Sequence, residues 1–239
     1  MPFSRLLALA LLVSASNTPG PSLSSRAARR WSPSAPAGLL DIELHPDYAD
    51  NRLIYLTWAG ECNGGNATHL GRGRPDGKRL ADFETLLVAD PCVRSTKHFG
   101  SRIVFDDKGY LFMTTGDRGE RDRAQDLGDH NGSVLRLNDD GSIPAGNAFT
   151  NRADAQPAIY SLGHRNPQGA AIHPGTGALW IHEHGPRGGD EINLPESGAN
   201  FGWPETTYGR EYWGPEGRLY LLTDHPSGEI LRLTQSDDG

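Results

Sequence analysis

The stretches Asn51-Arg52-Leu53-Ile54-Tyr55-Leu56, Lys108-Gly109-Tyr110-Leu111-Phe112-Met113, Thr176-Gly177-Ala178-Leu179-Trp180-Ile181 and Glu216-Gly217-Arg218-Leu219-Tyr220-Leu221 share one pattern. A polar turn leads into a leucine close to an aromatic residue, and a β run follows. Each is preceded by a short loop containing His-Pro, Asp-Asp or Gly-Pro. Self-similar β units at unequal spacing are how the blades of a β-propeller with variable loops are written into a chain. A β-sandwich with similar turns is the competing architecture, and the repetition favours the propeller. Composition points the same way, with 30 glycines and 17 prolines in 239 residues. Glycine reaches positive φ at no steric cost, so its excess suits short strands joined by tight turns. No long stretch repeats apolar residues at helical spacing, and the chain reads as all-β.

The chain carries 23 basic and 30 acidic residues, a formal charge of −7. An acidic surface repels phosphates, which sets nucleic acid aside as a partner. Carboxylates in excess are compatible with a hard cation such as calcium, which takes oxygen ligands. At the N-terminus, Arg5, the apolar run from Leu6 to Val13 and the small-residue triplet Val13-Ser14-Ala15 have the form of a signal peptide over residues 1–15. That run is well short of the ~20 residues a membrane-spanning helix needs, so the mature chain is expected to have no integral membrane segment. Residues 16–37, rich in Ser, Pro, Ala and Arg, read as a flexible lead-in, and residues 38–239 as the β domain. Export to the periplasm or the exterior would let Cys62 and Cys92 pair; two free thiols are the alternative.

Three loop segments crowd polar groups where a β core would not want them. In Lys97-His98-Phe99-Gly100-Ser101-Arg102, a histidine opens the strand Ile103-Val104-Phe105 and can act as a base near neutral pH. In Ser161-Leu162-Gly163-His164-Arg165-Asn166-Pro167-Gln168-Gly169, Arg165 offers a planar fork of donors suited to carboxylates and quinone oxygens. Asn166 adds a donor and an acceptor there. In Glu183-His184-Gly185-Pro186-Arg187-Gly188-Gly189-Asp190-Glu191-Ile192-Asn193, carboxylates and accessible carbonyls make an inventory suited to calcium. Zinc fits less well, because His182 and His184 lack a matching set of Cys or His partners.

Taken in order, these motifs resemble the soluble PQQ-dependent glucose/aldose sugar dehydrogenase family. The resemblance runs through Gly38-Leu39-Leu40-Asp41, Leu44-His45-Pro46-Asp47, His98-Phe99-Gly100-Ser101-Arg102, Gly116-Asp117-Arg118-Gly119 and Leu135-Arg136-Leu137-Asn138-Asp139-Asp140-Gly141. It continues through the segments Gly163–Gly169 and Glu183–Asn193 and through Asn200-Phe201-Gly202-Trp203-Pro204. The resemblance implies a six-bladed β-propeller that oxidises aldose sugars to lactones with PQQ, calcium and an external electron acceptor. It implies His98 as the base that takes the proton from the anomeric hydroxyl. Arg165 and Asn166 would contact the cofactor, with Arg165 stabilising negative charge on its oxygens and Tyr212 as a looser cofactor-side match. The carbonyls of Gly185 and Pro186 would hold the cofactor's calcium, and Glu191 with the carbonyl of Phe201 a second, structural calcium.

The sequence also departs from that family. Ser34-Ala35-Pro36-Ala37 stands where the family has a glutamine close to the cofactor, and the blade preceding Gly38 is replaced. After Tyr212-Trp213 the chain passes almost at once to Pro215-Glu216-Gly217, without the long region whose basic residues bind PQQ carboxylates. The expectation is therefore a shortened, incomplete propeller with weakened cofactor binding. Two other functions stay open: a catalytically impaired propeller remnant, and a calcium-dependent propeller lactonase.

Overall fold

The computed structural model describes residues 38–207, 209, 219–222 and 230–233. The signal-like segment, the lead-in and Tyr212 lie outside the described residues. The chain divides into two compact units, Met1–Arg94 and Ser95–Gly239.

In the first unit, β1 (Leu39–Leu44), β2 (Ile54–Cys62), β3 (Gly65–Asp76) and β4 (Arg79–Val88) form one antiparallel sheet in sequence order. The inner strands β2 and β3 carry its buried residues, with Ile54, Tyr55, Leu56 and Ala59 on β2 and Ala67 and Leu70 on β3. A Cys62–Cys92 disulfide ties the end of β2 to the segment beyond β4. Of the two readings of these cysteines, the paired one holds.

The second unit repeats the plan. Strands β5 (Ile103–Phe105), β6 (Leu111–Thr114), β7 (Ser133–Leu137) and β8 (Ile159–Leu162) make another four-stranded meander. A third sheet follows in the order β11 (Glu191–Asn193), β10 (Leu179–Glu183), β9 (Pro167–Ile172), and β12 (Leu219–Leu222) pairs with β13 (Ile230–Leu233). Within this unit Val104, Phe112 and Val134 of one sheet pack against Leu179 and Ile181 of the next. Antiparallel meanders in sequence order, one of them packed through its apolar face on the sheet that follows it, are the β-propeller plan, as the repeat implied. No helix among the described residues is long and apolar enough to cross a membrane.

The recurring motif occupies the same place each time: it turns the first strand of a sheet into the second, opening β2, β6 and β10. The backbone N–H groups of His45, Asp106 and His173 donate to the carbonyls of Leu53, Tyr110 and Ala178, closing three equivalent turns. Each turn needs one residue at positive φ. Gly109 (82°) and Gly177 (69°) supply it freely, whereas Arg52 (59°) does so against its own Cβ.

Candidate active site

Strand pairing decides where the chemistry collects. Ile103 pairs with Met113, Thr114 with Val134, Ser133 with Leu162, and Glu183 with Pro167. The loops before β5 and after β6, after β8 and after β10 therefore leave from corresponding ends of their sheets. These loops carry His98, Asp117, Arg165 and Gly185.

His98 Nδ1 lies 2.5 Å from Asp117 Oδ1, and the imidazole is 17% exposed while the carboxylate is 1% exposed. The same Asp117 oxygen accepts the Gly119 N–H at 2.7 Å, and its other oxygen accepts the Trp203 indole N–H at 2.8 Å. With Asp117 Oδ1 as the acceptor, His98 Nδ1 is the donor of the pair and Nε2 is left to accept. Nε2 has no hydrogen-bond partner among the described residues. His98 sits at φ 48° and Ser101 at φ 85°, conformations that cost about 1–3 kcal/mol each and persist only where the surroundings enforce them. Gly116 permits the approach: a Cβ there would collide with the His98 carbonyl.

The Asp117 backbone N–H donates to the Arg165 carbonyl at 2.8 Å, joining the two loops. Arg165 is 7% exposed. Its Nη1 donates to the carbonyls of His184 (2.9 Å) and Gly185 (2.8 Å), and its guanidinium carbon lies 5.4 Å from the Trp203 ring centre. Arg121 lies 5.5 Å from that same ring centre. Asn166 accepts from the Gln168 side chain at 2.8 Å through Oδ1. His98, Arg165, Asn166 and Gly185 are thus brought together, with Pro186 next in sequence; Tyr212 falls outside the described residues.

Beneath Arg165 lies a second buried set. The carboxylate of Glu183 accepts from His164 Nδ1 (2.9 Å) and from Asn193 Nδ2 (2.8 Å) at one oxygen. At the other it accepts from the backbone N–H groups of Arg165 (2.6 Å) and Asn166 (3.3 Å). Burial alone would raise the Glu183 carboxyl, but the charge and hydrogen bond of His164, with the two N–H groups, hold it below the ordinary carboxylate range. Asn193 also reaches Glu191 at 3.3 Å. Burial first, and then the charge of Glu183, push the Glu191 carboxyl above its ordinary range. The Phe201 ring stacks on His164 with centres 4.8 Å apart. Phe201 thus meets the His164–Glu183 pair at the imidazole and Glu191 meets it through Asn193.

Which of these groups suit a cofactor or a metal follows from their chemistry. A guanidinium beside an indole, with donors beyond those used on the two carbonyls, suits an anionic planar ligand. The Gly185 and Pro186 carbonyls are hard oxygen donors of the kind calcium accepts, and the Glu183–Glu191 pair is negative charge a divalent cation would relieve. No group of three or more His, Cys, Asp or Glu side chains poised to hold a metal occurs among the described residues. Asp117, Trp203 and Glu183 are not singled out by the sequence, although all three stand inside motifs that carry the resemblance.

A four-stranded meander packed on a three-stranded sheet, with a carboxylate-held histidine and a buried arginine in the loops at one end, defines a β-propeller scaffold carrying a candidate active site. The chain belongs to the glucose/sorbosone dehydrogenase family, whose model matches residues 23–217. It is 45% identical over 197 residues to the aldose sugar dehydrogenase YliI of Escherichia coli K12, covering 79% of this chain and 53% of that protein. The solved apo-form of the soluble E. coli aldose sugar dehydrogenase superposes with a TM-score of 0.72 at 46% identity, covering 75% of this chain and 53% of that one. The PQQ-bound aldose sugar dehydrogenase of Streptomyces coelicolor gives 0.63 at 32% identity, covering 79% and 53%. The chain spans about half the length of these relatives.

Proposed function

We propose that this chain carries the catalytic part of a PQQ-dependent aldose sugar dehydrogenase, with a glucose-type sugar as substrate and an external molecule as final electron acceptor. The observation that carries this reading is the single cluster in which Asp117 holds His98, Trp203 and the Arg165 loop together. His98 takes the proton of the anomeric hydroxyl at Nε2, with Asp117 keeping Nδ1 protonated and stabilising the imidazolium that forms. Arg165, with Asn166 beside it, binds the cofactor and offsets negative charge on its oxygens; Tyr212 is assigned to the cofactor side as well. The carbonyls of Gly185 and Pro186 hold the cofactor's calcium, and Glu191 with the Phe201 carbonyl a structural one. PQQ, when bound, supplies the two-electron acceptor that no side chain provides. Burial of Arg165 and Trp203 keeps water from their side of the cluster.

The Cys62–Cys92 disulfide supports an oxidising compartment, and with the signal-like residues 1–15 we assign the protein to the periplasm or exterior. The test is titration of the purified chain with PQQ in calcium, followed by absorbance, then turnover of glucose with an artificial acceptor. Saturable binding and turnover are expected. No saturable binding would leave a non-catalytic member of the family, and lactone hydrolysis independent of PQQ would replace the dehydrogenase with a hydrolase.

A further inference from the structure

Next to Asp117 stands a charged side chain the chemistry above does not use. Arg118 is 1% exposed, deep burial for a guanidinium. Its Nε donates to the Lys97 carbonyl at 2.9 Å and its Nη2 to the Ser95 carbonyl at 2.6 Å. Its guanidinium carbon lies 3.7 Å from the centre of the Phe99 ring, and its own carbonyl accepts the Ser95 hydroxyl at 2.5 Å. The contacts fall on residues 95, 97 and 99, on either side of His98, in a segment belonging to no strand.

Such a segment has no ladder to fix its backbone, yet His98 within it must hold φ 48°. Only contacts from elsewhere can impose that conformation. A guanidinium suits the task because its planar fork reaches two carbonyls while its face lies on an aromatic ring. Lysine could reach one of these positions but not all three. Burial, followed by the charge of Arg123, lowers the Arg118 pKa to about 10, so the group remains a cationic donor at neutral pH.

We propose that Arg118 is the positioning residue for His98: Asp117 orients the imidazole ring, and Arg118 fixes the backbone that presents it. The proposal rests on the reading of His98 as the base. It makes Asp117-Arg118 one device in which neighbouring residues grip the ring and the main chain of a single histidine. Loss of the fork lets residues 95–99 relax and moves Nε2 away from the substrate hydroxyl, without removing any group that touches cofactor or sugar.

The test uses the full chain as Arg118→Lys and as Phe99→Leu, the second keeping the guanidinium and its hydrogen bonds. Three readouts are taken: the ¹⁵N signals of the His98 imidazole, PQQ affinity by titration, and kcat and KM against pH. In Arg118→Lys the His98 signals are expected to shift and broaden, kcat to fall about 10²-fold, and the pH profile to move. PQQ affinity and KM stay within about threefold, because neither ligand contacts Arg118. Phe99→Leu should give the same pattern more weakly, about tenfold in kcat, and stands in if Arg118→Lys does not fold. His98 signals and a pH profile coinciding with wild type in a folded variant would overturn the proposal. If instead His98→Gln retains turnover, the base reading fails. The imidazole signals still report whether Arg118 places the residue.

Discussion

Residues 38–94 and residues 95–207 bury different kinds of group. In the first, β2 and β3 bury mostly apolar side chains, with Thr57, Thr68 and His69 as the buried polar ones. Its ion pairs lie outward, Arg72–Glu84 and Arg79–Asp76 having partners that are 54% and 62% exposed. In the second, Asp117, Arg118, Asp129, His164, Arg165 and Glu183 are all buried. Burying a charge is costly unless paired, and replacing a buried ion pair with apolar groups is often neutral or better for stability. A sheet built only to be stable would resemble residues 38–94. In residues 95–207 the buried charges lie on the proposed site residues instead: Asp117 meets the His98 ring, Arg118 the segment that carries it, and Glu183 the Arg165 backbone.

The largest expected effect separates rate from stability. His98→Gln should lower kcat about 10³-fold, within the range for a general base, while the thermal midpoint moves by no more than a few degrees. Steady-state turnover of the PQQ-loaded protein and a melting curve decide it. A stability loss matching the rate loss would make His98 another buried-network residue and dissolve the contrast.

The reverse separation belongs to residues 38–94. The Cys62–Cys92 bridge closes a separation of 30 residues, which constrains the unfolded chain by about 3–4 kcal/mol on the chain-entropy account. The double variant Cys62→Ser/Cys92→Ser should lose roughly that much stability in urea. At saturating cofactor and sugar, and below its melting range, kcat should be unchanged. A large drop in kcat for the folded double variant would mean this region does more than stabilise.

The same contrast explains what could be read from the chain. The repeat was legible because it is local: each copy spans one turn and the strand after it, and β2, β6, β10 and β12 all begin within it. His98, Arg165 and Gly185 were reached through motifs of consecutive residues. Asp117 was not, since its partners His98 and Trp203 are 19 and 86 positions away in sequence. Arg118 draws attention only as part of the motif Gly116-Asp117-Arg118-Gly119, and the fold reveals that Ser95, Lys97 and Phe99 enclose it. Glu183 reads as one carboxylate of a calcium-suited segment, and the fold instead surrounds it with His164, Arg165 and Asn193. Local chemistry shows in sequence, whereas the partners that orient it come from distant positions.

Trp203 gives the finest probe of the comparison, because its 7% exposure makes it look like an ordinary core residue. Trp203→Phe keeps an aromatic face beside Arg165 and deletes the indole N–H that reaches Asp117 Oδ2. A hydrogen bond to a charged group is worth about 1.5–3 kcal/mol, and the loss falls on the carboxylate that orients His98. The expected outcome is a kcat about tenfold lower, equivalent to about 1.4 kcal/mol in the barrier, with an altered pH dependence of kcat/KM. An apolar core residue would behave otherwise: stability would fall while kcat and the pH profile of the folded fraction stayed where they were. Finding that second pattern would return Trp203 to the packing and leave the Gly119 N–H, on the oxygen that His98 also contacts, as the other donor that orients Asp117. The second region would then owe its buried charge to fewer functional contacts than the geometry assigns it.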